Sequence, residues 1–385
     1  MPRLSWGDRN QAMAYFDAIA IGGGLAGSAF ALELARQGAR VAVIERTPAA
    51  KLKVCGDFLS SEAQQLLAYL GLNVAGLGAN SIETFRLATG EQTATAMLPF
   101  AGAGLSRLTL DEALLGKAQE AGAEVIRGQG ATALEWAGAR VRIRVGSKRF
   151  EATCAALATG KHNLRGWPRA AGDMTAYKIS VSLSQEALRA LAGVVQLVSY
   201  RGGYIGACNV EDDAATICWL MDACAMKKVG PEWTGHLDYI SRHSSAIGDL
   251  LVGARYLSAR PAAVSSIPYG YMRRAVIASN VYPTGDQLGV IPSLTGDGTS
   301  LALASGLAAA HAVLSSQPAQ GFQADFLAQR RTQFFWARAV DATFKSSIAR
   351  ALSVGAMGAL PQLATLIASL TRVKGFKEMT TDPAL

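Results

Sequence analysis

Asp17-Ala18-Ile19-Ala20-Ile21-Gly22-Gly23-Gly24-Leu25-Ala26-Gly27 is the stretch that decides the fold. An apolar run ends in three glycines. Ala29, Ala31, Leu32, Leu34 and Ala35 then follow in a helical pattern as far as Gly38, and Val41-Ala42-Val43-Ile44 forms a second apolar run closed by Glu45. Strand, glycine turn, helix, strand is a βαβ unit with parallel strands. Gly22, Gly24 and Gly27 fit G-x-G-x-x-G, with Leu25 and Ala26 inside the motif. The first glycine makes the tight turn off the strand. The second lets the backbone approach a pyrophosphate, and the third lets helix and strand pack closely. A pyrophosphate then sits at the positive end of a helix, facing its free N–H groups. Glu45 ends the second strand, where a carboxylate accepts hydrogen bonds from an adenosine ribose; it suits FAD or NAD and argues against the 2′-phosphate of NADP. Arg46 follows it and is counted with it as a cofactor-binding candidate.

The rest of the chain is large enough to build around this unit. Its 385 residues predict two domains or one elaborated one, and a 50% hydrophobic content supplies a sizeable core. The net charge of +8 fits attraction of a phosphorylated cofactor. No Lys/Arg block with interleaved aromatics points to nucleic acid. The cysteines, Cys55, Cys154, Cys208, Cys218 and Cys224, are odd in number and lack C-x-x-C or Cys/His zinc spacing. With a charged first sixteen residues and no apolar signal core, they predict a cytoplasmic protein. His162, His236, His243 and His311 form no metal spacing.

Further along, residues 61–71 read as a helix and 82–98 as a β-hairpin turning at Thr89-Gly90. A helix spans about 109–121, and strands lie near Val125, at 141–145 and at 154–157. Residues 174–277 change character, with strand-like runs at 179–183, 194–200 and 215–221. An apolar strand at 276–281 precedes a glycine-rich turn and a small-residue helix at 300–314, and the final sixty residues read as helical.

A second cofactor signature lies in this rear part: Asn280-Val281-Tyr282-Pro283-Thr284-Gly285-Asp286, then Gly289, Pro292 and Gly296-Asp297-Gly298-Thr299. Here the chain resembles the flavoprotein monooxygenases of the p-hydroxybenzoate hydroxylase type and their relatives, the geranylgeranyl reductases and flavin-dependent halogenases. The resemblance implies an α/β fold: a Rossmann-type FAD-binding domain, an antiparallel β substrate domain and C-terminal helices. It implies FAD as cofactor, with Gly285 and Asp286 at the ribityl chain. The N–H groups of Gly296, Asp297, Gly298 and Thr299 would face the flavin pyrimidine edge, where a helix N-terminus stabilises the negative charge of the reduced ring. Ser106-Arg107-Leu108-Thr109-Leu110-Asp111 resembles the family's arginine-bearing segment and places Arg107 near the phosphates or ribityl chain. Lys53-Val54-Cys55-Gly56-Asp57 is similar to the Cys-Gly segment of the geranylgeranyl reductase branch, close to the flavin. Tyr204, in Arg201-Gly202-Gly203-Tyr204, is a candidate for the substrate cavity. The expected division is an FAD-binding domain in three parts (1–80, 101–173, 278–320), a substrate domain (174–277) joined by the hairpin 81–100, and a helical region (321–385).

The resemblance implies an FAD-dependent oxidoreductase acting on a hydrophobic or aromatic small molecule. Hydroxylation ranks first, reduction of isoprenoid double bonds second, and flavin binding without turnover third. NADPH or NADH is the candidate electron donor, although Ala158-Thr159-Gly160-Lys161-His162 lacks the Asp-Gly pair that many relatives use. Trp219 has no partner for the halogenase Trp-x-Trp-x-Ile-Pro signature, so halogenation ranks low. From 351 to 371 no residue is charged, and the run reads as an amphipathic helix that packs on the body, with a membrane surface or a dimer face as the other options.

Overall fold

The computed structural model describes residues 14–275, 278 and 280–372. Two sheets organise it. In the first, Ala14–Ile21 lies parallel to Val41–Glu45 on one side and to Lys148–Leu157 on the other; Glu124–Arg127 extends the sheet beyond Val41–Glu45. The early half of the long Lys148–Leu157 strand pairs with the antiparallel hairpin of Ala131–Ala137 and Arg140–Val145. Its last three residues pair in parallel with Val281–Pro283. Of the expected strand at 276–281 only Val281 is in a strand, Val281–Pro283; Ala278 and Asn280 are not, and Val276, Ile277 and Ser279 lie outside the described residues.

The Leu25–Arg36 helix is buried along all but its last residue, because the sheet lies against one side and the Arg107–Glu120 and Gly298–Leu314 helices against others. Small residues permit this. A Cβ on Gly306 of the later helix would lie 2.3 Å from the Ala26 carbonyl oxygen. Leu32, Leu34, Leu66, Leu114, Leu303 and Leu307 fill the core between these layers.

The second sheet has nine strands and is mixed. The expected hairpin is present as Asn80–Thr89 and Gln92–Gly104, longer than 82–98 and turning at Gly90-Glu91, one residue past Thr89-Gly90, and it joins the strands of the middle segment. It does so in parallel, Asn80–Thr89 against Gly193–Tyr200, so the substrate sheet departs from the purely antiparallel expectation at this pair. The pairing joins edges 110 residues apart in sequence, which no turn residue could signal. Arg201-Gly202 is a tight turn, and Tyr204 is the second residue of the Gly203–Asn209 strand. The C-terminal run forms two helices, Ser347–Ala359 and Gln362–Thr371, not one. Pro361 between them cannot continue a helix. Their outer faces expose Ile348, Leu352, Leu366 and Ile367. Among the described residues no helix is long and apolar enough to cross a membrane.

Candidate active site

A cavity of about 1200 Å³ runs from the glycine turn, between the two sheets, to the C-terminal helices. Ordinary small-molecule pockets measure roughly 300–1,000 Å³, so this one has room for a dinucleotide together with a substrate. Gly22, Gly24, Leu25, Ala26, Glu45 and Arg46 line one end, with Arg107 beside them. Gly285, Asp286, Gly296, Gly298 and Thr299 line the middle, and Cys55 and Tyr204 the wall toward the second sheet. Two sequence candidates lie off this wall. Gly27 faces inward instead, where a Cβ would stand 1.9 Å from the Gly22 carbonyl oxygen; its place is in helix–strand packing. Asp297 turns its carboxylate into the protein, where Arg372 meets it at 3.1 Å.

The glycine end is built for an anion. Gly22 takes φ +113°, and Gly24 caps the helix with no side-chain bond to its first N–H groups. A Cβ on Gly24 would point at Arg107 Nη2 (3.7 Å) and Lys53 Nζ (3.8 Å), so the bare backbone opens onto two cations. Asp111 holds both in place: Arg107 Nε donates to Oδ1 at 2.7 Å and Lys53 Nζ to Oδ2 at 2.6 Å. Burial works against ionising Asp111, but those two charges outweigh it and hold its pKa low. Burial likewise lowers the His162 pKa, with the charges of Arg46, Lys51, Arg169 and Lys161 adding to it. This field suits a diphosphate.

Glu45 accepts from the Gly23 N–H at 2.9 Å and from the Thr47 N–H and hydroxyl at 2.9 and 2.8 Å. Burial opposes its ionisation; the Thr47 bonds, the Lys53 charge and the Gly23 bond overcome it, and its pKa is lowered. The carboxylate thus ties the glycine turn to the strand end. Asp286 sits 3.4 Å from Lys161, in the segment that lacks the family's Asp-Gly pair. Arg169 donates to the Asp286 carbonyl at 2.7 Å, and Gln287 Nε2 to the carbonyls of Gly160 and His162 at 2.9 Å each.

Asp57 is the residue of the Cys-Gly segment whose role sequence reasoning missed. It has φ +56° and is buried. Its carboxylate forms an ion pair with the equally buried Lys178 and accepts from Thr216 Oγ1 at 2.6 Å and the Arg107 N–H at 3.2 Å. Lys178 sits mid-strand in a polar–apolar alternation and looks like a solvent-facing residue, so nothing local announces the pair. The pair fixes the segment that carries Cys55. Cys218 also lines the cavity, and burial pushes its thiol up to about 12.

A family model described as an FAD binding domain matches residues 15–155. Protein FixC of Escherichia coli (strain K12) is 27% identical over 354 residues, covering 82% of this chain and 80% of that protein. Among solved structures, a flavoprotein/dehydrogenase from Cytophaga hutchinsonii superimposes with a TM-score of 0.79 at 15% identity, over 93% of this chain and 92% of that one. The flavin-dependent brominase Bmp2 gives 0.78 at 15% identity, over 95% and 96%. The myxobacterial chondrochloren halogenase CndH gives 0.75 at 17%, also over 95% and 96%. These similarities correct the ranking drawn from the sequence. Halogenases share the architecture along nearly the whole chain, so a missing tryptophan signature does not place halogenation below hydroxylation. The glycine turn, its cations and the matching domain fit one dinucleotide: the chain carries an FAD-binding domain within a p-hydroxybenzoate hydroxylase-like fold.

Proposed function

We propose that the protein is an FAD-dependent halogenase of an electron-rich aromatic small molecule. The observation that carries this is the apolar cavity that continues from the cofactor end onto the second sheet, in a fold that halogenases share over its whole length. When bound, FAD would supply the redox chemistry for halogenation, in which the reduced cofactor together with halide and ring provides the four electrons that take dioxygen to water, leaving a carbon–halogen bond.

The chain's own residues bind and orient. Gly24 and the helix N-terminus would hold the pyrophosphate, with Arg107 and Lys53 as counter-charges. Glu45 would hold the adenosine end, Asp286 the ribityl chain, and the 296–299 turn the pyrimidine edge. Cys55, on the cavity wall, would stand beside the cofactor. Leu197, Leu220, Val290 and Met357 keep water from the substrate. A reduced nicotinamide, acting directly or through a separate flavin reductase, is the electron donor.

The test is turnover of reduced, FAD-loaded protein with air, bromide and a panel of phenols and indoles, read by mass spectrometry. Products with the bromine isotope pair support the reading; products carrying only one added oxygen overturn it. Glu45→Ala is expected to weaken FAD binding roughly 10- to 100-fold, since it removes a charge-assisted acceptor worth about 1.5–3 kcal/mol and frees the Gly23 N–H. Equilibrium dialysis of FAD checks this, and an unchanged dissociation constant would remove Glu45 from the cofactor site.

A further inference from the structure

Three hydroxyls from three separate elements meet on the apolar wall of the cavity. Tyr204 comes from the second strand of the Gly193–Tyr200 and Gly203–Asn209 hairpin. Tyr269 comes from the loop after Ala262–Ile267, and Ser293 from the turn that leads into Gly296. Ser293 Oγ lies 2.8 Å from Tyr269 Oη and is also hydrogen-bonded to Tyr204 Oη. All three residues line the cavity. Around them stand Leu197, Leu220, Val290, Phe344 and Met357. Both phenols stay protonated, because burial raises their pKa values.

The protons can be counted. Each hydroxyl brings one O–H, three in all, and each hydrogen bond consumes one. The cluster makes two bonds and, among the described residues, no others. One O–H therefore has no acceptor among the described residues whichever way the bonds run, and it belongs to a group that faces the cavity. Ser293 is exposed to the cavity, so this donor is open to an acceptor on a bound ligand.

We propose that Tyr204, Ser293 and Tyr269 form an oxygen-recognition subsite, and that the substrate is an apolar ring system bearing a carbonyl or phenolic oxygen. Ser293 is three residues before Gly296, so the subsite holds that oxygen beside the turn assigned above to the flavin edge. Tyr204 and Tyr269 position Ser293 from opposite elements. This inference rests on the same cavity as the halogenase reading but needs no particular reaction.

The test is binding, without turnover, to oxidised FAD-loaded protein. Matched pairs, 2-naphthol with 2-methylnaphthalene and 2-acetylnaphthalene with 2-ethylnaphthalene, are titrated and followed by flavin absorbance and equilibrium dialysis. The oxygenated member of at least one pair is expected to bind about tenfold tighter, as one added hydrogen bond of ~1.4 kcal/mol gives. Ser293→Ala is expected to abolish the preference at unchanged flavin content, and Ser293→Thr, which keeps the hydroxyl, to retain most of it. Tyr204→Phe and Tyr269→Phe are expected to reduce it in part. Equal affinities within both pairs, a preference that survives Ser293→Ala, or no binding by either oxygenated probe overturns the proposal. A failed bromination assay with an intact preference overturns only the halogenase reading.

Discussion

Gly27→Ala is expected to yield protein that purifies with little or no flavin. The added Cβ would stand 1.9 Å from the Gly22 carbonyl oxygen and 3.1 Å from the Ala158 Cβ. The nearest obstacle is backbone, so no rotamer change can relieve the clash. Either the Leu25–Arg36 helix moves off the Ala14–Ile21 strand or the Gly22–Gly24 turn reopens. Both displace the N–H groups and the space beside Arg107 and Lys53 on which the anion site depends. Overpacking of this kind costs about 3 kcal/mol or more, which is roughly 100-fold in flavin affinity. Gly116→Ala is the matched control. It lies inside the Arg107–Glu120 helix, and a Cβ there meets nothing within 4 Å. It is expected to keep full flavin content and gain up to about 1 kcal/mol from helix propensity. Flavin-to-protein absorbance ratios decide the matter, and a Gly27→Ala protein with full flavin would show that the turn tolerates a wider helix–strand spacing.

The second large effect is expected from Lys178→Met. It leaves the Asp57 carboxylate buried beside Thr216 with its nearest counter-charge gone. Breaking a buried pair from one side costs about 3–5 kcal/mol. Adding Asp57→Asn should recover more than half of that, because asparagine is neutral, tolerates φ +56° and keeps an acceptor for the Arg107 N–H. The pH dependence has a definite sign. Burial raises the Asp57 pKa above its unfolded value, even against the Lys178 charge. Without Lys178 it rises further, so the native state binds the extra proton. The variant's deficit therefore shrinks as pH falls toward the unfolded carboxylate value of about 3.9 and is full above the folded one. Urea unfolding at several pH values measures it. A Lys178→Met variant within about 1 kcal/mol of the parent would mean that Asp57 reaches water.

Local signals carried the fold far. Three glycines between apolar runs announced the βαβ unit, and Thr89-Gly90 announced the hairpin. Both rest on backbone preferences that act over a few residues. The structure brings Glu45, Arg107, Asp286 and Gly296 onto one cavity although they are scattered over the chain. What stayed illegible is non-local. The parallel pairing of Asn80–Thr89 with Gly193–Tyr200, the Asp57–Lys178 pair and the Asp297–Arg372 pair each join positions dozens to more than a hundred residues apart. The hydroxyl cluster of Tyr204, Tyr269 and Ser293 has no spacing signature at all. Gly27 shows the converse: the helix–strand packing read from its motif is what the structure shows, while its place among the cofactor contacts is not.

The late arrival of Val281–Pro283 has a consequence for how the protein is made. This strand completes the first sheet against Ala155, Ala156 and Leu157, and the helix that follows it covers Ala26. Both lie beyond the whole middle segment. At ~5–20 residues per second, the ribosome takes on the order of ten seconds to travel from one partner to the other. During that interval the nascent chain carries an open strand edge and an uncovered helix face, the kind of surface that chaperones bind and aggregates grow from. The middle segment can begin pairing within itself meanwhile, but the cofactor's seat cannot close until the chain has been extended past it, so this closure cannot guide the folding of the first half of the chain.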